Sequence, residues 1–265
     1  MSLALTIVFF FLGLIIGSFL NVIIFRFNTD RNLGGRSGCL SCRRVLAWYE
    51  LIPVLSYFFL WGRCRGCKSF ISMQYPIVEV ISGLVFALIF LKFQDVFYLS
   101  TLSFSASYAY YTTMFSLLLV IAVYDLRHKI IPDVLSFVFG ALAFVGLFFF
   151  SGYSFFPHIP VLSEFASGAL LALPFALLWL ISRGSWMGLG DAKLALGLGW
   201  LLGFANIITS VAVAFWFGAI VGVILFLFSK KYKMKSEIPF APFLVVGAFI
   251  IFAFGLDLFN LHLLF

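Results

Sequence analysis

Residues 3–25 read LALTIVFFFLGLIIGSFLNVIIF, an apolar run that ends at the first basic residue of the chain, Arg26. A helix that crosses the hydrocarbon core of a bilayer needs about 20 mainly apolar residues, so this run is long enough for one span. It has no basic n-region and no small-residue cleavage site, which favours a retained anchor over a signal peptide. The fold is therefore expected to begin with a transmembrane helix over residues 1–25.

The rest of the chain continues this pattern. Of the 265 residues, 64% are hydrophobic and 10% are charged, and the mean hydropathy is +1.16. Soluble domains are about 45–50% apolar, so this composition excludes an ordinary soluble fold. We predict an all-α polytopic membrane protein with about eight transmembrane helices. The candidate spans are residues 3–25, 77–93, 106–124, 134–150, 163–182, 191–204, 207–229 and 242–260. The sixth is the weakest candidate, because it is short and its glycines break the pattern.

The basic residues predict the orientation of the chain. Lys and Arg accumulate on the cytoplasmic side of membrane proteins, so Arg26 places the N-terminus outside and residues 26–75 in the cytoplasm. With eight spans, this arrangement leaves only Lys92 outside among the 17 Lys and Arg residues. Contact with anionic lipid then explains the formal net charge of +7, and no nucleic acid is required.

All four cysteines lie in the one stretch that could fold outside the membrane, residues 26–75. They form two CxxC pairs, Cys39 with Cys42 and Cys64 with Cys67, separated by 21 residues (64 − 42 − 1). This spacing is typical of four-cysteine zinc sites, in which each pair turns both thiolates toward one tetrahedral ion. A closed shell of four sulfurs indicates a structural Zn²⁺. Disulfides or free thiols are the alternative, although the cytoplasmic location argues against disulfides.

Two aspartates border apolar stretches that the predicted topology brings to the same membrane face. Asp125 follows the third span, which runs inward, and Asp191 opens the sixth, which runs outward. Two close carboxyls cannot both ionise easily, so one keeps a proton while the other activates water, as in aspartic proteases. The alternatives are that Asp125 pairs with Arg127 or His128, and that Asp191 caps a helix N-terminus.

Three further residues near the membrane surface have predicted roles in packing or binding. Gly188 and Gly190 permit backbone angles or a close approach that would let substrate or a partner helix reach Asp191. Glu79, an isolated carboxylate near the start of the second span, should have a partner. Asn21 and Ser18 share a face of the first span and are candidates for that partner, while a role of Glu79 in a ligand site is the alternative.

These motifs together resemble the type IV prepilin peptidases, also called type IV leader peptidases, over nearly the whole chain. The matching segments are residues 17–22 (GSFLNV), the two CxxC pairs, 50–56 (ELIPVLS), 75–79 (YPIVE), Asp125 with 131–133 (IPD), and 188–193 (GLGDAK).

The resemblance implies a GxGD-type intramembrane aspartyl protease at the cytoplasmic face of a bacterial inner membrane. Such an enzyme cuts prepilins or type II secretion pseudopilins after a glycine. The catalytic pair falls on Asp125 and Asp191, with Gly188, Gly190 and Lys193 supporting the catalytic loop.

Many bacterial members of this family also methylate the new N-terminus with S-adenosylmethionine. The resemblance implies this bifunctional form, and we place the cofactor around Glu79. The expected organisation is a transmembrane helix over residues 1–25, a zinc domain over 26–75, and a membrane peptidase domain of about seven helices over 76–265.

Two other classes of function share some of these features. A proton-coupled transporter also uses carboxylates and glycine-broken helices, but it places them near the midplane between inverted repeats. Here both aspartates are expected at one face, and the sequence shows no repeat. A membrane-anchored zinc module that docks on a secretion assembly is the second alternative, and it leaves the arrangement of Asp125 and Asp191 without a purpose.

Overall fold

The computed structural model describes residues 2–29, 34–228 and 238–256, and most of these residues are helical. The α-helices are α1 (Ser2–Arg26), α2 (Leu55–Phe59), α3 (Gln74–Leu99), α4 (Thr101–His128), α5 (Asp133–Gly146), α6 (Leu162–Ser182), α7 (Leu189–Leu202), α8 (Phe204–Phe228) and α9 (Ala241–Phe254). A 3₁₀ turn (Trp48–Leu51) precedes α2. The all-α membrane fold is confirmed, with the cysteine segment between α1 and α3. Arg31 and the four lysines of residues 230–235, which the topology argument places inside, lie outside the described residues.

Five helices in the described part are long and apolar enough to cross a bilayer, namely α1, α3, α4, α6 and α8. Each of α5, α7 and α9 has 14 residues. At 1.5 Å per residue such a helix is about 21 Å long, shorter than a hydrocarbon core of about 30 Å. Each predicted apolar stretch forms a helix over most of its described residues, but the count of eight spans is not confirmed.

The glycines that interrupt the apolar pattern of the sixth predicted span allow close helix packing, and α7 is continuous through Gly197 and Gly199. A Cβ added at Gly199 would lie 2.6 Å from the Cα of Gly168 in α6. One added at Gly197 would lie 2.6 Å from the ring of Phe139 in α5. Small residues let membrane helices approach closely, so α7 packs between α5 and α6. Leu194 and Ala195 near the centre of α7 are fully buried, so this short helix is enclosed by its neighbours.

Packing divides the chain into two compact units, Met1–Asp95 and Val96–Phe265. In the first unit, α1 crosses α3 at Gly17, where an added Cβ would lie 2.7 Å from the Cα of Glu79. The unit boundary falls within α3. The expected domain limits at residues 25 and 75 stay a prediction.

The second unit contains α4 to α9. A short antiparallel hairpin, β1 (Phe150–Ser151) with β2 (Ser154–Phe155), connects α5 to α6. The N–H of Phe155 donates to Ser107 Oγ in α4 at 3.0 Å, which fixes the hairpin to the helices. Short connections also bring the last turns of α4 and α6 to the same end of the unit as the first turns of α5 and α7. The candidate catalytic aspartates lie at this end.

Candidate active site and metal centre

The structure brings the two candidate catalytic aspartates together. Asp125 lies in the last turn of α4 and Asp191 in the first turn of α7. Both are buried, with 4% and 8% of their surface exposed, and their carboxyls are close enough to interact electrostatically. Residues 66 positions apart (191 − 125) thus form one buried acidic site.

Close packing at Gly190 brings the start of α7 to the end of α4. A Cβ added at Gly190 would lie 2.9 Å from the Cβ of Ile131, in the connection that follows α4. Gly188 has φ −74° and ψ 150°, angles that any residue adopts. Of the two glycines, only Gly190 is therefore required by its surroundings, and the reason is space, not backbone freedom.

The two oxygens of Asp191 have different surroundings. One oxygen interacts with the backbone N–H of Gly188, the residue that precedes α7, so the helix-capping alternative is present in the structure. The other oxygen, Oδ1, is buried and has no hydrogen-bond partner among the described residues. Asp191 therefore lies at the start of its helix with one oxygen toward the backbone of Gly188, and its other oxygen accepts no hydrogen bond from the described part of the chain.

The carboxylate of Asp125 faces the N-terminus of α9. The backbone N–H of Ala241, the first residue of α9, interacts with this carboxylate. The first N–H groups of a helix have no partner within the helix, so they are available to an acidic side chain. The ring of His128, one of the expected partners of Asp125, stacks on Tyr124 with 4.4 Å between centroids.

Lys193 is close to this site but pairs with a different carboxylate. Its Nζ lies 2.6 Å from Asp133 Oδ1, so the pair joins the first turns of α7 and α5. Both side chains are substantially exposed, at 44% and 74%. The sequence did not indicate this pair, because no local spacing relates residues 60 positions apart.

Glu79 in the first unit forms the contact to α1 that was one of its two expected roles. Its carboxylate interacts with the Ser18 hydroxyl, and Asn21 Nδ2 donates to the carbonyl of Tyr75 at 3.1 Å. The second Glu79 oxygen, Oε2, accepts the backbone N–H of Val54 at 2.7 Å. Sequence reasoning missed this last contact, which ties the cysteine segment to α3.

The four cysteine sulfurs lie within 4.8 Å of one another. Cys39 and Cys67 are 3.8 Å apart, Cys42 and Cys64 are 4.0 Å apart, and none forms a disulfide. Four sulfurs at about 2.3 Å from a tetrahedral Zn²⁺ are about 3.8 Å from each other. The geometry fits a zinc ion, and the expectation of one four-cysteine cluster is met.

Each CxxC pair forms a tight turn, called a knuckle, and the knuckles at residues 39–42 and 64–67 have the same backbone fold. In the first, the N–H of Cys39 donates to the Arg44 carbonyl and the N–H of Arg43 to the Cys39 carbonyl, both at 2.9 Å. The two equivalent bonds at Cys64 are also 2.9 Å long. Arg43 and Lys68, each directly after its knuckle, both have φ 59°. The cysteine segment therefore contains the same turn twice, once at each CxxC pair.

Glu50 is a structural residue that sequence reasoning left without a role. Its buried carboxylate accepts the backbone N–H of Ala47 at 2.9 Å and pairs with the guanidinium of Arg44. The Ala47 N–H and the Arg44 charge hold the pKa of Glu50 below its usual value. The carboxylate thus joins the first knuckle to the 3₁₀ turn.

These features define an α-helical membrane protein with a buried pair of aspartates and a cluster of four cysteines that could hold a metal ion. Residues 11–93 match the model of the Bacterial Peptidase A24 N-terminal domain, and residues 112–223 match that of the Type IV leader peptidase family. The first match lies within the first structural unit and the second within the second. The chain belongs to the type IV leader peptidase family and is an enzyme of that family.

Several curated relatives carry the name prepilin leader peptidase/N-methyltransferase. The Myxococcus xanthus protein is 34% identical over 233 residues, which cover 86% of this chain and 65% of the relative. The Bacillus subtilis protein is 30% identical over 257 residues, 94% of each chain. The Vibrio cholerae protein is 27% identical over 261 residues, 93% of this chain and 95% of the relative. No solved structure matches the chain.

Proposed function

We propose that this enzyme removes the leader peptide of prepilins or type II secretion pseudopilins, cutting after a glycine with Asp125 and Asp191 as the catalytic pair. The names of the relatives support the substrate class. The structural support is the buried Asp191 Oδ1, which lacks a partner among the described residues beside a second buried carboxyl. An unpaired buried acceptor costs about 1–3 kcal/mol, so such an atom indicates a place for water or substrate.

The chemistry follows from two carboxyls that share one proton. The ionised carboxyl takes a proton from water, and the oxygen of that water attacks the scissile carbonyl. The protonated carboxyl gives its proton to the carbonyl oxygen. As the tetrahedral intermediate collapses and the C–N bond breaks, the carboxyl that took a proton from water gives it to the leaving nitrogen, and a hydroxyl proton of the intermediate returns to the other carboxylate. The proton belongs to the pair as a whole, because close carboxyls titrate together. The N-termini of α7 and α9 hold Asp191 and Asp125 in place.

The position of the site suits a substrate whose leader is cytoplasmic and whose next segment is apolar. Arg127 and Lys129 follow Asp125 closely, which favours the cytoplasmic face of a bacterial inner membrane. A peptide bond within a helix is hydrogen-bonded, so the substrate must unwind locally before it is cut. A glycine at the cut site makes that unwinding easier.

We extend the proposal to N-methylation, which the names of the relatives include. S-adenosylmethionine would supply the methyl group. We place its binding at the polar seam between α1 and α3, around Glu79. Asn21 Oδ1 and Ser82 Oγ in this seam are buried without a hydrogen-bond partner among the described residues, so they can bind polar groups of a ligand.

The four-cysteine site is proposed to hold a structural zinc. Four thiolates fill the tetrahedral shell, which leaves no position for substrate. The metal then stabilises the segment that connects α1 to α3. Neither a transporter nor a docking module accounts for the paired aspartates as well as a peptidase does.

The test is cleavage of a purified prepilin by the detergent-solubilised protein, followed by mass spectrometry of the products. We expect D125N and D191N each to lower the cleavage rate by at least about 10²–10⁴-fold, because an amide has a similar shape but cannot act as acid or base. D133N is the matched control, since Asp133 lies at the same end of the unit but is exposed. Wild-type cleavage by D125N or D191N would exclude this aspartate pair and favour the docking or transporter functions.

Methyl transfer is tested in the same assay with S-adenosylmethionine added. We expect the product to gain the mass of one methyl group in the wild type. E79Q should lose this gain and retain cleavage, since its amide oxygen can still accept the Val54 N–H. Methylation at the wild-type level in E79Q would remove Glu79 from the proposed cofactor site.

A further inference from the structure

Val54 has an unusual backbone conformation for a β-branched residue. It follows Pro53 and precedes α2, with φ 62° and ψ −54°. Such a conformation is sterically unfavourable for a β-branched residue and persists only where the surroundings impose it. Here the restraint is the 2.7 Å hydrogen bond from the Val54 N–H to Glu79 Oε2.

This hydrogen bond places Val54 at the depth of the membrane surface. Glu79 lies five residues after Gln74, the first residue of α3, or about 7.5 Å along the helix at 1.5 Å per residue. Ser18, which contacts the same carboxylate, lies eight residues before Arg26, the last residue of α1, or about 12 Å. Both helices are able to cross a bilayer. The start of α2 is therefore held beside the beginning of α3 and the C-terminal part of α1.

Four of the seven residues that follow Val54 are bulky, apolar and exposed. Leu55, Phe58, Phe59 and Trp61 are exposed to 53%, 63%, 80% and 88%. Trp61 is a second residue with positive φ, at 52°, so both ends of α2 are held in uncommon conformations. A five-residue helix that shows three large apolar side chains would be poorly suited to water.

The charges beside this segment favour a lipid surface. Arg63, Arg65 and Lys68 follow within seven residues of Trp61, and the Arg63 guanidinium lies 4.7 Å from the ring centroid of Phe70. Trp is enriched at the membrane–water interface, Phe and Leu lie on the apolar face of interfacial helices, and Lys and Arg are attracted to anionic lipid. Apolar and basic side chains in one segment match the two parts of that interface.

We propose that residues 54–61 form an interfacial anchor, inserted between the headgroups and acyl chains of the cytoplasmic leaflet. Glu79 is a positioning residue that holds this anchor at the correct depth through Val54. The anchor keeps the cysteine segment on the membrane surface. This inference does not depend on the peptidase reaction, because it concerns only where the first unit meets lipid.

The experiment uses the full-length protein in nanodiscs of phosphatidylglycerol and phosphatidylethanolamine. The photoreactive residue p-benzoylphenylalanine replaces Phe59 or, separately, Trp61, and lipid adducts are measured by mass spectrometry after illumination. Phe11 in the middle of α1 is the lipid-facing control, at 56% exposure. Ser41, exposed within the first CxxC pair, is the control for water.

We expect lipid adducts at positions 59 and 61 with yields similar to position 11 and severalfold above position 41. Yields no higher than at position 41 would overturn the proposal. So would cross-links that form with an added prepilin instead of lipid, since they would make the segment a substrate-binding surface.

The role of Glu79 is tested with two variants in the same measurement. E79L removes the acceptor for the Val54 N–H and should lower the adduct yield at position 59 severalfold, whereas E79Q should retain it. Zinc content per chain shows whether each variant is folded. An unchanged yield in folded E79L would overturn the positioning role. If E79L does not fold, the comparison of positions 59 and 61 with the controls still decides whether the anchor exists.

Discussion

Gly188 and Gly190 differ in what their surroundings allow, although only one residue separates them. A Cβ at Gly188 would meet its nearest neighbour, Asp191 Oδ2, at an ordinary 3.7 Å, whereas a Cβ at Gly190 would meet Ile131 Cβ at 2.9 Å. At the scale of single residues, the site therefore depends on one glycine that brings two chain segments into contact.

We predict that G190A moves the start of α7 away from Ile131 and lowers kcat/KM for prepilin cleavage by about 10²-fold, the effect of a displacement of about 1 Å. G188A is the matched control and should retain most of the activity. Equal losses in both variants would show that the glycines act through backbone freedom and not through close packing.

Lys193 also has a testable role at this scale. Its ion pair with Asp133 is exposed, and such pairs stabilise proteins by less than about 1 kcal/mol. We therefore expect K193M to change the unfolding temperature little and to keep cleavage within a few-fold of wild type. A loss as large as that expected for D191N would instead assign Lys193 a direct part in the reaction.

At the scale of elements, the two cysteine knuckles act as one folding unit. Each knuckle supplies two sulfurs, and metal binding at such sites provides free energy of folding. We predict that C42S and C67S each lower the zinc content per chain and the yield of folded protein. Metal analysis of purified protein measures the first effect, and S41A is the control because its side chain does not belong to the sulfur cluster. Full zinc content in C42S would exclude this site.

The position of helix α7 depends on close contacts with neighbouring helices. A Cβ at Gly199 would lie 2.5 Å from the Ser167 carbonyl oxygen in α6. We predict that G199A destabilises the protein by about 1–3 kcal/mol, as overpacking does. G140A in α5 should be neutral or stabilising, since a Cβ there meets no atom within 4 Å and Ala favours helix. Thermal unfolding in detergent compares the two, and similar stability would show that α6 and α7 can separate at no cost.

At the scale of the whole molecule, the distribution of basic residues predicts which loops are on which side. Alkaline phosphatase fused after Gly152 in the β1–β2 hairpin should be active, because that connection is expected outside. The same reporter fused after Ser185, between α6 and α7, should be inactive. Activity at both positions would mean that α6 does not cross the membrane, and the site would then not face the cytoplasm as proposed.

Several features of this protein follow from the sequence by itself, because they depend on local pattern and solvent. Apolar runs define where helices form in lipid, whatever their neighbours. The spacing of each CxxC pair predicts a shared metal, since two residues are enough for the turn. Asp125 and Asp191 could be assigned to one membrane face, because the number and direction of the intervening helices determine the depth of each.

Other features were decided only by tertiary structure, because they depend on packing between distant segments. The short length of α7 is tolerated since Gly197 and Gly199 let other helices cover it. The partner of Lys193, 60 residues away, follows from how α5 packs on α7. The hydrogen bond from Val54 to Glu79 exists because the packing of α1 on α3 leaves that carboxylate beside the start of α2. Sequence spacing carries no information on such pairs, because the packing of distant segments determines which side chains come into contact.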